Sequence, residues 1–153
     1  EAAVEMIAEA GTGHVTGFRR SFPVASYLVY SLLQAGKRTV FIDGVAGLAI
    51  PQVKSIADDD LLIAISYHPY AAETVAVVEA AREGGASVLA ISDSAVSPIA
   101  APADLALLTR ESEVRSFRSL SASMCLAQAL VINFAFAASQ PRGKRPPKRP
   151  LAH

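Results

Sequence analysis

Apolar residues fall along this chain in two alternating rhythms. Short uninterrupted runs rich in β-branched side chains occupy His14–Phe18, Thr39–Asp43, Leu61–Ser66, Ser87–Ser92 and Leu105–Thr109. Each is too short for a helix and lacks the polar alternation of a half-exposed strand, so each predicts a strand covered on both faces. Between them lie helical patterns with legible ends. The segment EAAVEMIAEA at residues 1–10 reads as a helix. Another follows Ser21, a residue able to cap it, with Pro23 in the opening turn and Gly36 just past the end. A third covers Leu48–Ile56, and Ala72–Glu83 places Val75, Val78 and Ala81 on one face before stopping at Gly84-Gly85. An apolar helix, Leu120–Ala138, closes the pattern. Strands alternating with helices predict a three-layer α/β/α sandwich around a five-stranded parallel sheet.

Composition narrows the class. A chain of 153 residues that is 52% apolar and 18% charged, with mean hydropathy +0.34, excludes a disordered or collagen-like polymer and makes one well-buried domain. Cys125 is the single cysteine, so no internal disulfide forms, and three scattered histidines without a second cysteine give no metal spacing. Cys125 itself reads as a small buried apolar side chain, and a reducing, cytoplasmic setting follows. The net charge of zero hides a split, because residues 140–153 (QPRGKRPPKRPLAH) hold five of the 14 basic residues and none of the 14 acidic ones. The acidic body argues against nucleic-acid binding by the domain itself. The basic, proline-rich tail predicts a solvated disordered end or an electrostatic contact with nucleic acid or a partner. The chain opens at Glu1 inside a helical pattern, without a methionine, which predicts a preceding domain outside this sequence. Leu120–Ala138 has the length to span a bilayer, but Ser121, Ser123, Gln128 and Asn133 predict instead a helix buried on nearly all sides, by a core or a subunit partner, with no membrane contact.

In an open parallel sheet ligands bind beyond the carboxyl ends of the strands, where the strand order reverses. After the first strand comes GFRRS, Gly17 to Ser21: a glycine, two arginines, and a serine at a helix start where free N–H groups favour an anion. After the third comes SYHPYAAET, Ser66 to Thr74, again a hydroxyl before a turn and a helix. The run GTGHVTG, Gly11 to Gly17, precedes or occupies its strand instead of following it, and no phosphate-loop lysine is present, so no nucleotide cofactor is expected.

The order strand, G-x-x-x-S, helix, strand, then S-x-x-x-x-x-x-[DE]-T after DDDLLIAIS, then ISDSAVSPIAAPADLALL, resembles the sugar isomerase (SIS) phosphosugar-binding domain. Residues 91–104 and FRSLSASMCLAQALV at 117–131 are most similar to the SIS domain at the C-terminal end of RpiR/MurR-type bacterial transcription regulators. The resemblance covers residues 2–138. It implies a flavodoxin-like sheet, a homodimer or higher homo-oligomer, a phosphorylated sugar or sugar acid as ligand, and DNA contact only through a separate N-terminal helix-turn-helix domain. By position, Ser21 and Ser66 match the family's phosphate-binding hydroxyls, and Gly17, Arg19, Arg20, His68, Tyr70, Thr74 and Ser119 complete the candidate ligand set. Two hydroxyls common in the family are replaced here by His68 and Ala71, and the middle glycine of G-x-G-x-S is Arg19, so the anion is a carboxylate or a differently placed phosphate.

Each candidate has a structural alternative. Arg19 or Arg20 can pair with Glu73 or Asp93, Tyr70 can cap the sheet edge, and Ser119 and Ser121 can cap the last helix. His14, inside its strand, reads as structural. In isomerases of the family the catalytic glutamate comes from the region opening the last long helix, yet Leu120–Ala138 contains no Asp, Glu or His. Glu111 and Glu113 fall in what reads as an exposed loop, which leaves His68 as the one candidate base and no residue assigned to catalysis. The expected function is therefore the effector-binding and dimerisation domain of an RpiR-type regulator; the alternatives are a phosphosugar isomerase and a purely structural dimerisation module.

Overall fold

A computed structural model describes residues 1–115 and 117–139; the basic tail, with the disorder expected of it, lies outside the described residues. Five strands, β1 (Gly13–Thr16), β2 (Thr39–Ile42), β3 (Leu61–Ile65), β4 (Ser87–Ser92) and β5 (Leu105–Leu108), form one sheet in the order β2-β1-β3-β4-β5, with every neighbouring pair parallel. Pleating sends alternate residues to opposite faces. Leu61, Ile63 and Ile65 of β3 and Leu89 and Ile91 of β4 meet Ala3 and Ile7 of α1 (Ala2–Glu9), Leu28 and Leu32 of α2 (Phe22–Gln34), and Ala127, Leu130 and Phe134 of α5 (Ser121–Ser139). The alternate residues, Leu62, Ala64, Val88 and Ala90, meet Val53 of α3 (Ala49–Val53) and Val77, Val78 and Ala81 of α4 (Ala72–Glu83). This is the expected α/β/α sandwich. The interior strands carry unbroken apolar runs because both faces are covered, whereas the edge strands β2 and β5 are only partly buried.

The strand expected at Ser87–Ser92 has those bounds, and the other four end one or two residues earlier than expected, because Phe18, Asp43, Ser66 and Thr109 belong to the loops that leave the carboxyl edge. There the ladder still continues by single bonds, Ser66 N–H to the Ile91 carbonyl and Thr109 N–H to that of Ser92. The helices show larger departures. Ser21 makes no side-chain cap: it is itself helical, the last residue of a 3-10 turn over Arg19–Ser21 whose N–H returns to the Phe18 carbonyl at 3.1 Å, and Pro23 starts α2 without losing a needed donor. Gly36 ends α2 as expected, at φ +83°. The helix expected over Leu48–Ile56 shrinks to α3, preceded by a separate 3-10 turn at Val45–Gly47. On α4 the buried stripe is Thr74, Val77, Val78 and Ala81, with Val75 half-buried.

Helix α5 differs most from expectation. Its buried residues are Ser123, Ala127, Leu130 and Phe134, a single stripe facing the sheet, while Cys125, Ile132 and Phe136 stand exposed. Burial on nearly all sides is therefore not achieved within the chain, and Cys125 is not a core residue. Between β5 and α5 the chain folds into a small antiparallel hairpin, β6 (Glu113–Val114) and β7 (Phe117–Arg118), where the sequence suggested only loop.

Candidate functional site

The chain runs from β1 outward to β2, then returns to lay β3 on the other side of β1, so the order reverses between two adjacent strands. The loops leaving β1 and β3 diverge above that point and open a crevice at the carboxyl edge, the place such sheets reserve for ligands. One lobe, of about 380 Å³, is walled by Phe18, Arg19, Arg20, Ser21, Ser66 and His68, with Glu113 and Arg118 of the hairpin on its far side. A second lobe, of about 300 Å³, shares Arg20, Tyr67, His68, Glu113 and Arg118 and extends to Asp93, Arg110 and Glu111. A larger cavity of about 720 Å³ lies elsewhere, between α1, β5 and α5; its walls are mostly apolar, so it lacks the convergent polar groups of a small-molecule site.

The first wall is built under steric pressure. A Cβ on Gly17 would stand 3.0 Å from the Ala25 Cβ and 3.1 Å from the Ser21 carbonyl oxygen, so glycine lets the turn press onto α2. Arg19 occupies the left-handed region at φ +54°, the conformation that glycine adopts freely and arginine only at a cost. Its guanidinium crosses to Glu73 in the first turn of α4, donating to the two carboxylate oxygens at 3.4 and 3.3 Å in an exposed pair. The Glu73 carboxyl is held below its usual range, first by its own backbone N–H and further by Arg19, against a small opposing effect of burial. Arg20 turns inward, its guanidinium 5.4 Å from the centre of the Tyr67 ring. Among the described residues no carboxylate pairs with it.

Ser21 and Ser66 are both buried on the crevice floor. Ser66 Oγ accepts the Ala71 N–H at 3.3 Å, which leaves its own proton to donate. His68 stands exposed, its N–H donating to Asp93 at 3.0 Å and its ring edge-on to Tyr70. Tyr70 donates its hydroxyl to the other Asp93 oxygen at 2.8 Å, so it braces the loop after β4 and does not line the crevice. Burial pushes the Asp93 carboxyl up, but the donors on His68 and Tyr70 outweigh it and hold the group below its usual range. Burial and the Asp93 charge push the Tyr70 hydroxyl up.

Two candidates fall outside the crevice walls. Thr74 is wholly buried under α4, its hydroxyl without a partner among the described residues. Ser119 Oγ accepts the Ser121 N–H at 3.0 Å and donates to Ser121 Oγ at 2.9 Å, the capping alternative. The structure also brings in residues that sequence reasoning passed over. Arg118 pairs with Glu113 through Nε at 2.7 Å and donates Nη1 to the His68 carbonyl. The Tyr67 hydroxyl is buried and donates to Ser123 Oγ at 2.6 Å, its acidity suppressed chiefly by that burial. Glu111 is not a loose exposed residue: it accepts the N–H groups of Ala122 and Ser123, at 3.2 and 2.7 Å, and the Ser123 hydroxyl at 2.6 Å. A carboxylate so engaged serves the amino end of α5, where the helix dipole favours it. The only earlier hint was its position ahead of an apolar helix with no acidic residue of its own. Among the described residues no three His, Cys, Asp or Glu side chains converge on a metal-sized site.

The arrangement can bind an anion with hydroxyls and guanidiniums, and among the described residues the carboxylates that line it with His68, namely Asp93, Glu111 and Glu113, each already accept hydrogen bonds. This fold and crevice define an α/β domain of the kind that opens a ligand crevice at the switch point of a five-stranded parallel sheet. The SIS domain family model matches residues 6–133, and the chain belongs to that family. It is similar to the sugar isomerase domain of an RpiR transcription factor from Sphaerobacter thermophilus, at 32% identity over 89% of this chain and 76% of that one, with a TM-score of 0.83. It is also similar, at 29% identity over 137 residues, to an uncharacterized HTH-type transcriptional regulator, YbbH, of Bacillus subtilis; the match covers 89% of this chain and 48% of YbbH, so the chain spans about half the length of that relative. The NanR protein of Vibrio vulnificus, solved in complex with ManNAc-6P, shares the fold at 21% identity and a TM-score of 0.77, over 89% of this chain and 53% of that one. The two relatives at about 30% identity are described as transcription regulators, and a putative sugar-phosphate isomerase of Listeria monocytogenes shares the fold at 22% identity and a TM-score of 0.80, over 90% of this chain and 75% of that one.

Proposed function

We propose that this chain is the effector-binding and dimerisation domain of an RpiR-type regulator, with a phosphorylated sugar or sugar acid held in the crevice above β1 and β3. The observation that carries this reading is the juxtaposition, at the point where strand order reverses, of the Ser21 and Ser66 hydroxyls with a guanidinium, Arg20, that no described carboxylate neutralises. NanR, with the same fold, is known in complex with a sugar phosphate, which adds support. The domain occupies residues 1–139, and DNA is contacted by a helix-turn-helix domain lying in the part of the regulator that this chain does not span. A ligand alters that contact only by preferring one arrangement of the assembly. The assembly is a homodimer or higher homo-oligomer in the cytoplasm. Its support is α5, 19 residues without a charge, whose outward face exposes Ile132 and Phe136. The helix is long and apolar enough to cross a membrane by composition, but its inner stripe is committed to the sheet core.

The test is thermal denaturation of the chain with ManNAc-6P, glucose 6-phosphate, 6-phosphogluconate and their unphosphorylated parents, with sulfate as the anion control. Ligand bound only by the folded state raises the midpoint. A rise with a phosphorylated or acidic sugar, absent with its neutral parent and with sulfate, is the expected result. Ser21→Ala and Ser66→Ala then weaken binding by about 1–3 kcal/mol each with little loss of stability. Loss of stability instead of affinity would return both serines to the scaffold. Sedimentation of the same samples reads the assembly state, and a strict monomer at all concentrations would refute the dimerisation part.

A further inference from the structure

The loop after β3 is the obvious place for an anion, and in this chain it is already occupied by the protein's own carboxylates. The His68 N–H is taken by Asp93, the Ala71 N–H by Ser66 Oγ and the Ser66 N–H by the Ile91 carbonyl, while Pro69 has none. At the start of α4, Glu73 sits over its own N–H. An incoming phosphate or carboxylate there meets three spent donors and the like charge of Asp93, with Glu73 beyond it already paired to Arg19. The opposite side of the crevice has the complementary surplus. Arg20 stacks on Tyr67 without an ionic partner, and Arg118, which lines both lobes with it, commits Nε to Glu113 and Nη1 to the His68 carbonyl, leaving Nη2 without a described partner. A guanidinium offers five N–H groups in a fixed fork suited to carboxylate or phosphate, so two of them facing one crevice can grip such a group from two sides.

Resting on the effector-binding reading above, we infer that the charge of the ligand's anionic group is met by the two guanidiniums of Arg20 and Arg118, with the serine hydroxyls as weaker neutral contacts. The grip is then set by a residue of the hairpin between β5 and α5, so a bound ligand bridges the loop after β1 to β7.

The experiment measures affinity by calorimetry for whichever sugar phosphate or sugar acid of the panel raises the melting midpoint most. Arg20→Gln and Arg118→Gln should each weaken it about ten- to a hundredfold, with a loss that shrinks as salt rises where that of Ser66→Ala does not. Arg118→Lys should recover only part of the loss, since an ammonium keeps the charge but not the fork. Because Arg118 also staples its hairpin, Glu113→Gln is the second variant. It removes the ionic part of the same hairpin pair and leaves a neutral hydrogen bond, and by taking a negative charge from the site it should tighten binding. Equal losses in Arg118→Gln and Glu113→Gln, or an Arg118→Gln chain that binds as the parent does, overturns the inference while the effector-binding reading stands. A parent chain that binds no member of the panel overturns both.

Discussion

The two ends of the sheet each carry a carboxylate in a loop, and they are built to opposite purposes. At the amino end Asp60 is buried and fully engaged: Oδ1 accepts the Thr12 N–H at 2.7 Å, and Oδ2 accepts the Ala57 N–H and faces His14 Nε2, both at 3.0 Å. It thereby ties the entrance of β1 to the entrance of β3, and Gly11 approaches so closely that a Cβ there would lie 2.9 Å from Asp59 Oδ2. At the carboxyl end Asp93 is half-exposed, Arg19 is strained, its pair with Glu73 lies in solvent, and Arg20 has no described ionic partner. One end spends its polar groups on holding strands together, and at the other, on the effector-binding proposal, Arg20 is left to a ligand. Stability and binding should therefore separate along the strand axis.

The largest test of that separation is Asp60→Ala. It orphans two backbone donors and leaves the buried His14 ring, whose Nδ1 already lacks a partner, with none among the described residues. Leaving two backbone N–H groups and a buried ring nitrogen without their acceptor costs about 3–5 kcal/mol, a large share of a domain's stability. Denaturant unfolding should show that loss, while affinity per folded molecule stays at the parent value. The pH dependence follows from the sign of the shift. Burial raises the Asp60 carboxyl, but the Ala57, His14 and Thr12 contacts outweigh it and hold it below the usual 3.8. Its contribution is thus present above that value and lost as pH falls through the lower folded value. The parent should weaken below about pH 4 more steeply than Asp60→Ala does. A ligand affinity that collapses with Asp60 would erase the distinction between the two ends.

Such a distinction was only half legible in the amino-acid sequence. Continuous apolar runs revealed the five strands because β3 and β4 are covered on both faces, and Ser66 stood out because strand ends in parallel sheets are where ligands gather. The Asp60–His14 pair joins residues 46 positions apart, so nothing local signals it. The segment from Arg110 to Ser119 has neither period, and its hairpin exists because Arg118 finds Glu113 and the His68 carbonyl. Composition made α5 look enclosed, since an apolar helix reads the same whether its outer face meets a core or a second subunit. Thr74 matched a pattern by position, yet its hydroxyl turns into the core.

At the open end, Arg19→Gly is the intermediate test. Glycine relieves the left-handed strain, worth about 1–2 kcal/mol, and forfeits an exposed ion pair worth less than about 1 kcal/mol. The variant should melt slightly higher than the parent, by about 1 kcal/mol at most. Stabilisation with weaker ligand binding would show that the strain is retained for the site. Stabilisation with unchanged binding would make Arg19 a tolerated liability, and destabilisation would mean that the Glu73 pair matters more than its exposure suggests.

The smallest effect on stability belongs to Glu73→Gln, and it sharpens the comparison most directly against Asp60. The amide can still accept the backbone N–H that helps hold the carboxylate in its charged form, and only the solvent-exposed attraction to Arg19 is lost. Unfolding free energy should change by less than about 0.5 kcal/mol. Affinity should move the other way: removing a negative charge from the mouth of the crevice and freeing Arg19 raises the local positive potential, so an anionic sugar should bind about two- to fivefold tighter at low salt and equally at high salt. The same neutralisation at Asp60 lowers stability and leaves binding alone. Carboxylates on one sheet would then differ in what they serve solely by which edge of it they occupy and how many donors they hold.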